Sequence, residues 1–136
     1  MATGLVLVIF WGLGGFAYAK DVAYIESEMV ATANWISENV PAGVLIATHD
    51  IGALGYFGNH ELVDMAGLVS PEVIPIIQDE SRIAAYLNER QVSFLVTFPD
   101  WYPTLTLSLQ PVFTTGAEFA PAIGGSNMTV YRWPGP

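Results

Sequence analysis

The first 19 residues constrain the fold most, because none of them carries a charge. Residues 4–19 read GLVLVIFWGLGGFAYA, and Lys20 is the first charged residue of the chain. A helix needs about 20 apolar residues to cross the hydrocarbon layer of a bilayer. The run is just long enough, so we predict a transmembrane helix over residues 1–19. The lipid bilayer is then the expected partner of this segment.

A secretory signal peptide is the main alternative for the same segment. Residues 17–19 read AYA, which fits the small-x-small pattern at signal cleavage sites. Signal peptides usually begin with a basic region, however, and no Lys or Arg precedes this apolar run. Gly12, Gly14 and Gly15 favour the membrane helix, because small residues are common where membrane helices pack together. Other membrane helices are therefore a second expected partner.

The distribution of basic residues predicts which side of the membrane the rest of the chain occupies. Lys and Arg are enriched in cytoplasmic flanks of membrane helices. After Lys20 the chain has only Arg82, Arg90 and Arg132. Both the membrane helix and the signal peptide therefore place residues 20–136 outside the cytoplasm. Because no basic residue precedes the run, it is expected to be either a single span or the last span of a polytopic protein.

Overall charge excludes one class of partner. Thirteen acidic and four basic residues give a net charge of −9 at pH 7. Such a surface repels phosphate backbones, so a nucleic-acid partner is excluded. The chain also has no cysteine, which removes disulfides, thiolate metal sites and thiol nucleophiles. Neither a cofactor nor a metal ion is expected.

Alternating helical and extended patterns after residue 20 predict an α/β domain over residues 20–136. The predicted strands are 44–48, 61–65, 93–98, 105–114 and 128–133, with the last two paired antiparallel. The clearest predicted helices are 22–39, 51–58 and 79–90, and Ser70 is expected to cap a further short helix. This alternation predicts a small three-layer sandwich with a mostly parallel sheet and an antiparallel edge, preceded by one transmembrane helix.

The predicted helix over residues 22–39 is amphipathic. Its apolar residues recur at helical spacing, and Ile25 belongs to that inward-facing stripe. Glu28 lies off the stripe together with the other acidic residues of the helix. The pattern therefore predicts that Ile25 is buried and that Glu28 faces solvent.

Four residues form the candidate ligand-binding site. Asp50 and Asp64 follow or end predicted strands, and open α/β sheets bind ligands at the carboxyl ends of their strands. The two carboxylates either converge there or bond to nearby backbone amides as structural caps. Trp101 and Tyr102 lie on the loop after the third strand, where aromatics beside a carboxylate form either a sugar-binding surface or a plug over the core. No catalytic residue is predicted.

His49 and His60 raise the question of a metal site with these aspartates. His60 precedes the second predicted strand, whereas Asp64 lies near its end. Four residues of strand separate them by about 13 Å. They should therefore lie at opposite edges of the sheet, which argues against a joint metal site.

Two long stretches carry a resemblance to a known family. They are IATHDIGALGYFGNHELVDMAGLVSPEVIP (46–75) and YLNERQVSFLVTFPDWYP (86–103). With the strand ending in Asp50, the Asp-x-x-Gly-Leu segment 64–68 and the FLV strand 94–96, the chain resembles the C-terminal extracytoplasmic domain of polytopic bacterial glycosyltransferases of the GT-C type. These are relatives of protein mannosyltransferases and aminoarabinose transferases. The likeness covers most of the chain.

The resemblance implies an accessory role without catalysis. Members of this family use a polyprenyl-phosphate-linked sugar, and their catalytic carboxylate lies in an early loop that has no counterpart in this sequence. The first hypothesis is therefore a membrane-tethered extracytoplasmic accessory domain of a glycosyltransferase-like membrane protein, contacting a glycan or an acceptor. The second is a single-span structural subunit of a larger membrane complex. The third is an independent soluble enzyme released by signal cleavage.

Overall fold

A long helix occupies the N-terminal part of the described chain. The computed structural model describes residues 2–135, and helix α1 spans Ala2–Tyr24. A π-helical turn, Ile25–Val30, leads without a break into α2, Ala31–Asn39. The predicted membrane segment and the predicted amphipathic helix are therefore one continuous helix. Its apolar part is exposed, and its length and composition fit either a membrane span or a signal sequence.

The π-helical turn changes which side chains face the domain. Glu28, expected in solvent, is fully buried, whereas Ile25, expected in the core, is 45% exposed. Both predictions are wrong for one physical reason. A π-helical turn holds more residues than the 3.6 of an α-helix, so it rotates the following side chains around the axis. The periodicity that predicted the buried face assumed an uninterrupted α-helix.

Within residues 2–135, five strands form a single mixed sheet. They are β1 (Ile46–Thr48), β2 (Leu62–Asp64), β3 (Phe94–Thr97), β4 (Gln110–Thr114) and β5 (Thr129–Arg132). Their order across the sheet is β2-β1-β3-β5-β4. β1 pairs in parallel with β2 and β3, whereas β5 pairs antiparallel with β3 and β4. The predicted β4–β5 pairing is confirmed, but the sheet is evenly mixed in its pairings and not mostly parallel.

Shorter helices connect these strands. They are α3 (Gly52–Phe57), α4 (Glu80–Glu89), α5 (Pro103–Thr106) and α6 (Phe119–Ala122), with 3-10 turns at Pro71–Ile76 and Pro99–Trp101. Asp79 caps α4, because its Oδ1 accepts hydrogen bonds from two backbone amides. Ser70 makes no side-chain cap bond. The predicted strand 105–114 begins late, at Gln110, because α5 occupies its start.

Helices cover both faces of the sheet. Successive strand residues point to opposite faces, and Ala47 and Leu95 pack in the cluster that contains the buried residues of α4. Ile46 and Val96 pack in the cluster that contains α2 and α3. The connections from β1 to β2 and from β2 to β3 therefore cross opposite faces. This leaves a crevice at the carboxyl ends of β1 and β3, where open α/β sheets bind ligands.

Two contacts set the direction of the long helix against the sheet. His60, which precedes β2, has its Nε2 3.2 Å from the carbonyl oxygen of Val40, just beyond α2. At the other end, the ring of Tyr24 stacks on that of Phe98, which follows β3, with centroids 5.7 Å apart. The parallel strands therefore point back along the helix. Their carboxyl ends lie level with the end of α1.

Candidate functional site

A groove lies at the carboxyl ends of β1, β2 and β3. It encloses about 380 Å³. Its lining residues include His49, Asp50, Ile51, Ala66, Leu68 and Trp101. The loops after three different strands thus meet in one place, beside the crevice between β1 and β3. This position makes the groove the candidate functional site.

Asp50 lines the groove and also bonds local backbone. Its Oδ1 accepts a hydrogen bond of 2.9 Å from the amide of Gly52, at the start of α3. Asp50 thus bonds local backbone, although Ile51 and not Asp50 is the N-cap residue of α3. The side chain is partly exposed and lies among the lining residues. Asp50 therefore both bonds the local backbone and lines the groove.

Asp64 lies behind the groove and holds one of its walls. The side chain is fully buried. Its Oδ1 accepts from the amide of Ala66 at 2.8 Å, and its Oδ2 from the amide of Val69 at 2.6 Å. Gly67 completes this loop at a φ of +80°, where a Cβ would lie 2.7 Å from Ile74 Cγ1. Both carboxylate oxygens of Asp64 are thus used to shape the loop.

Three aromatic rings build the opposite side. The Trp101 ring is 47% exposed and packs edge-on against the imidazole of His49, with centroids 4.8 Å apart. Tyr102 is only 3% exposed, and its hydroxyl lies 2.7 Å from His49 Nδ1. Trp101 therefore forms the accessible wall. Tyr102 sits beneath it and positions the imidazole.

The protonation states of this side follow from its burial. Burial lowers the pKa of His49 below its usual value, and the nearby Asp64 and Asp50 oppose that change. Burial raises the pKa of Tyr102 to about 12, with smaller contributions from Glu80 and Asp64. A phenol that keeps its proton can donate it to Nδ1 of a neutral imidazole, and we predict this arrangement, in which the imidazole carries its own proton on Nε2.

The charges of the groove limit the ligands it suits. In the described part of the chain, its lining includes a carboxylate and no Lys or Arg. A phosphate would meet repulsion from Asp50 without a compensating cation. The groove suits a ligand that offers hydroxyl groups to polar side chains and an apolar face to the indole.

The neutral state of His49 gives a first testable prediction. We expect its pKa below the reference value of about 6.5 and its proton on Nε2 at pH 7. The unfolded chain then takes up this proton more readily than the folded one. Stability should be unaffected by His49 above about pH 6.5 and should decline as the pH falls from there to the folded pKa. Imidazole ¹⁵N and ¹³C shifts measured across pH 5 to 8 test this.

Tyr102→Phe is the matched variant for that titration. It removes the hydroxyl and keeps the ring, so Nδ1 loses its donor and the His49 pKa should rise. A His49 that is charged at pH 7 in the native chain, or that carries its proton on Nδ1, would contradict the assignment.

The structure brings some of the predicted site residues to this groove and not others. Of the four predicted residues, Asp50 and Trp101 line the groove, while Asp64 and Tyr102 lie behind it. His49 is a groove residue that the sequence prediction missed, although its place directly after β1 is the same signal that points to Asp50. Within residues 2–135, no group of three or more His, Cys, Asp or Glu side chains is placed to hold a metal ion.

Comparison with known families gives a match over most of the chain. A family model described as "Domain of unknown function (DUF8728)" matches residues 17–131. The matched region starts inside α1 and runs through the whole sheet into β5. Neither the curated proteins nor the solved structures yield a match.

Proposed function

The chain belongs to the DUF8728 family, and on the geometry of the groove and of the long helix we propose that it is a membrane-tethered extracytoplasmic accessory domain that contacts a glycan or an acceptor. It works with a glycosyltransferase-like membrane protein and has no catalytic centre of its own. The groove at the carboxyl ends of β1, β2 and β3 is its binding surface. The long N-terminal helix is its tether.

The observation that carries the proposal is the exposed indole of Trp101 in the groove wall. A sugar ring has an apolar face of C–H groups that packs on an aromatic ring, and hydroxyls at its edge that need polar partners. Asp50 and His49 supply such partners beside the indole. A few placed polar groups in a partly apolar concavity are typical of small-ligand sites. The groove has the chemistry that an uncharged sugar requires.

Three further features support the membrane tether, the location outside the cytoplasm and the link to glycosyl transfer. The apolar part of α1 is exposed along its length. The scarcity of basic residues after Lys20 favours a location outside the cytoplasm. The resemblance of residues 46–75 and 86–103 to the C-terminal domains of GT-C-type enzymes supports the link to glycosyl transfer.

Trp101→Ala tests the binding surface. We expect it to weaken glycan binding about tenfold, equivalent to about 1.4 kcal/mol, because the sugar loses its stacking partner. Tyr56→Ala is the matched control, since Tyr56 is 83% exposed and does not line the groove. The measurement is binding of the detergent-solubilised full chain to an array of neutral oligosaccharides. A folded Trp101→Ala variant that binds as well as the native chain would remove Trp101 from the site.

A second candidate function is a structural subunit whose helix docks into a membrane complex. Its supporting observation is a second groove, of about 620 Å³, beside Gly12, Gly14 and Gly15 of α1. A Cβ at any of these glycines would meet nothing within 4 Å. Such a face lets another membrane helix approach closely. Stoichiometric membrane subunits in the complex purified from native membranes would favour this function over glycan binding.

A further inference from the structure

We infer that the carboxyl edge of the sheet rests on the membrane surface, with exposed apolar side chains of that edge inserted among the lipid headgroups. This rests on the proposed function, since it requires α1 to span the membrane. It goes further by assigning an interaction surface on the α/β domain itself. The surface consists of Leu68, Val69, Trp101 and Ile123, here called the apolar rim.

The first step is the height of the sheet edge above the hydrocarbon layer. Lys20 ends the uncharged segment, and Tyr24 follows four residues later, about 6 Å along the helix axis. The headgroup layer on each side of a bilayer is about 5–8 Å thick. Tyr24 therefore lies near the outer limit of the headgroups. Its ring stacks on Phe98, so the sheet edge starts at that height.

The second step is the direction in which the edge faces. The strands point back along the long helix, so the loops after β1, β2 and β3 are the parts of the domain nearest the membrane. The Trp101 ring lies 4.9 Å from the Phe98 ring, centroid to centroid. Ile123 lines a depression together with Lys20 and Tyr24. Two members of the rim are thus tied to the helix where it leaves the bilayer.

The third step is the character of the exposed side chains. Leu68 is 77% exposed, Val69 67%, Trp101 47% and Ile123 46%. Leaving such groups in water forgoes the favourable transfer of apolar surface. Tryptophan is also enriched at membrane interfaces, where its ring has both apolar and polar neighbours. At the membrane interface, the apolar surface of all four side chains is removed from water.

Charge defines the kind of lipid. Residues 20–136 hold 13 acidic and four basic residues. Anionic headgroups would repel this domain. Zwitterionic headgroups are therefore the expected contact, and the groove beside Trp101 lies at their level.

Single-cysteine spin labels test the inference, because the chain contains no cysteine of its own. The full chain is placed in phosphatidylcholine vesicles with a label at Leu68→Cys. A second chain carries Glu61→Cys, an exposed site at the opposite edge of the sheet. A third carries Phe10→Cys in α1. For each label, electron paramagnetic resonance compares accessibility to oxygen, which concentrates in lipid, and to a water-soluble nickel chelate.

We expect the oxygen-to-nickel ratio at Leu68 to exceed that at Glu61 several-fold, and the ratio at Phe10 to be the highest. Equal ratios at Leu68 and Glu61, with Phe10 in lipid, would contradict the contact of the apolar rim with the membrane. They would not contradict the membrane span of α1. Nickel accessibility at Phe10 like that at Glu61 overturns the tether and the rim together. A Leu68 label shielded from both reagents also overturns the inference, because protein would then cover the edge.

Discussion

Replacing Glu28 with alanine should destabilise the folded chain by about 3–5 kcal/mol. The side chain is fully buried. It accepts hydrogen bonds from the amide of Met128 at 2.8 Å, from Asn127 Nδ2 at 3.0 Å and from the hydroxyl of Thr115. Alanine leaves these donors without that partner, and each buried donor left unpaired costs about 1–3 kcal/mol. Because Glu28 bonds the long helix to the residues flanking β4 and β5, the helix should also lose its anchorage.

Two variants make the Glu28 result specific. Glu26→Ala changes an exposed carboxylate in the same π-helical turn and should cost at most about 0.5 kcal/mol. Glu28→Gln keeps the size but turns an amide NH₂ toward one of the donors, so its cost should be intermediate. Urea unfolding of the full chain in one detergent, followed by circular dichroism, measures all three. A Glu28→Ala loss no larger than that of Glu26→Ala would contradict the anchoring role.

The second large effect is expected for Asp64→Ala, at about 2–4 kcal/mol. The carboxylate is fully buried and bonds the amides of Ala66 and Val69. Its removal leaves both amides without a partner and frees the loop that carries Leu68. The groove wall formed by this loop should lose its shape, so glycan binding and stability should fall together.

Asp50→Ala provides the comparison, because Asp50 accepts one such bond and is partly exposed. Its cost should be about 1 kcal/mol or less. Hydrogen exchange in folded Asp64→Ala gives a local measurement: the amides of Ala66 and Val69 should exchange faster, while those of α4 keep their relative protection. Unchanged exchange at both amides would show that the loop does not depend on Asp64.

The parts of the fold that could be predicted are those with an unambiguous local pattern. The apolar runs 44–48 and 93–98 contain β1 and β3, because a short, continuously apolar segment between turn residues favours a buried strand. The predicted helix 79–90 contains α4, and Asp79 caps it because its carboxylate accepts bonds from free amides of the first turn. The predicted strand 105–114 was wrong over its first residues. Pro103 suits the first position of a helix, and α5 begins there.

The site was predictable to the extent that strand direction determines it. Asp50 and Trp101 line the groove because each follows a strand of the parallel part of the sheet, which the sequence pattern indicated. The inward position of Asp64 depends on the conformation of its own loop, including the positive φ of Gly67, and local sequence patterns do not specify this. The burial of Glu28 could not be predicted from the sequence for a similar reason. It depends on a π-helical turn that interrupts the regular helical period.

The helix from Ala2 to Asn39 is continuous, so a tilt of its apolar part also tilts the part that packs on the sheet. No loop lies between the segment proposed to span the bilayer and the segment packed on the sheet. The hydrogen bonds of Glu28 also hold the helix against the residues that flank β4 and β5. A tilt of about 20°, the average for membrane helices, carries the far end of α2 sideways by about 10 Å over the roughly 28 Å that separate it from Lys20. The whole sheet turns through the same angle. If α1 spans the bilayer as proposed, the tilt it adopts there therefore also sets the angle at which the groove meets the membrane.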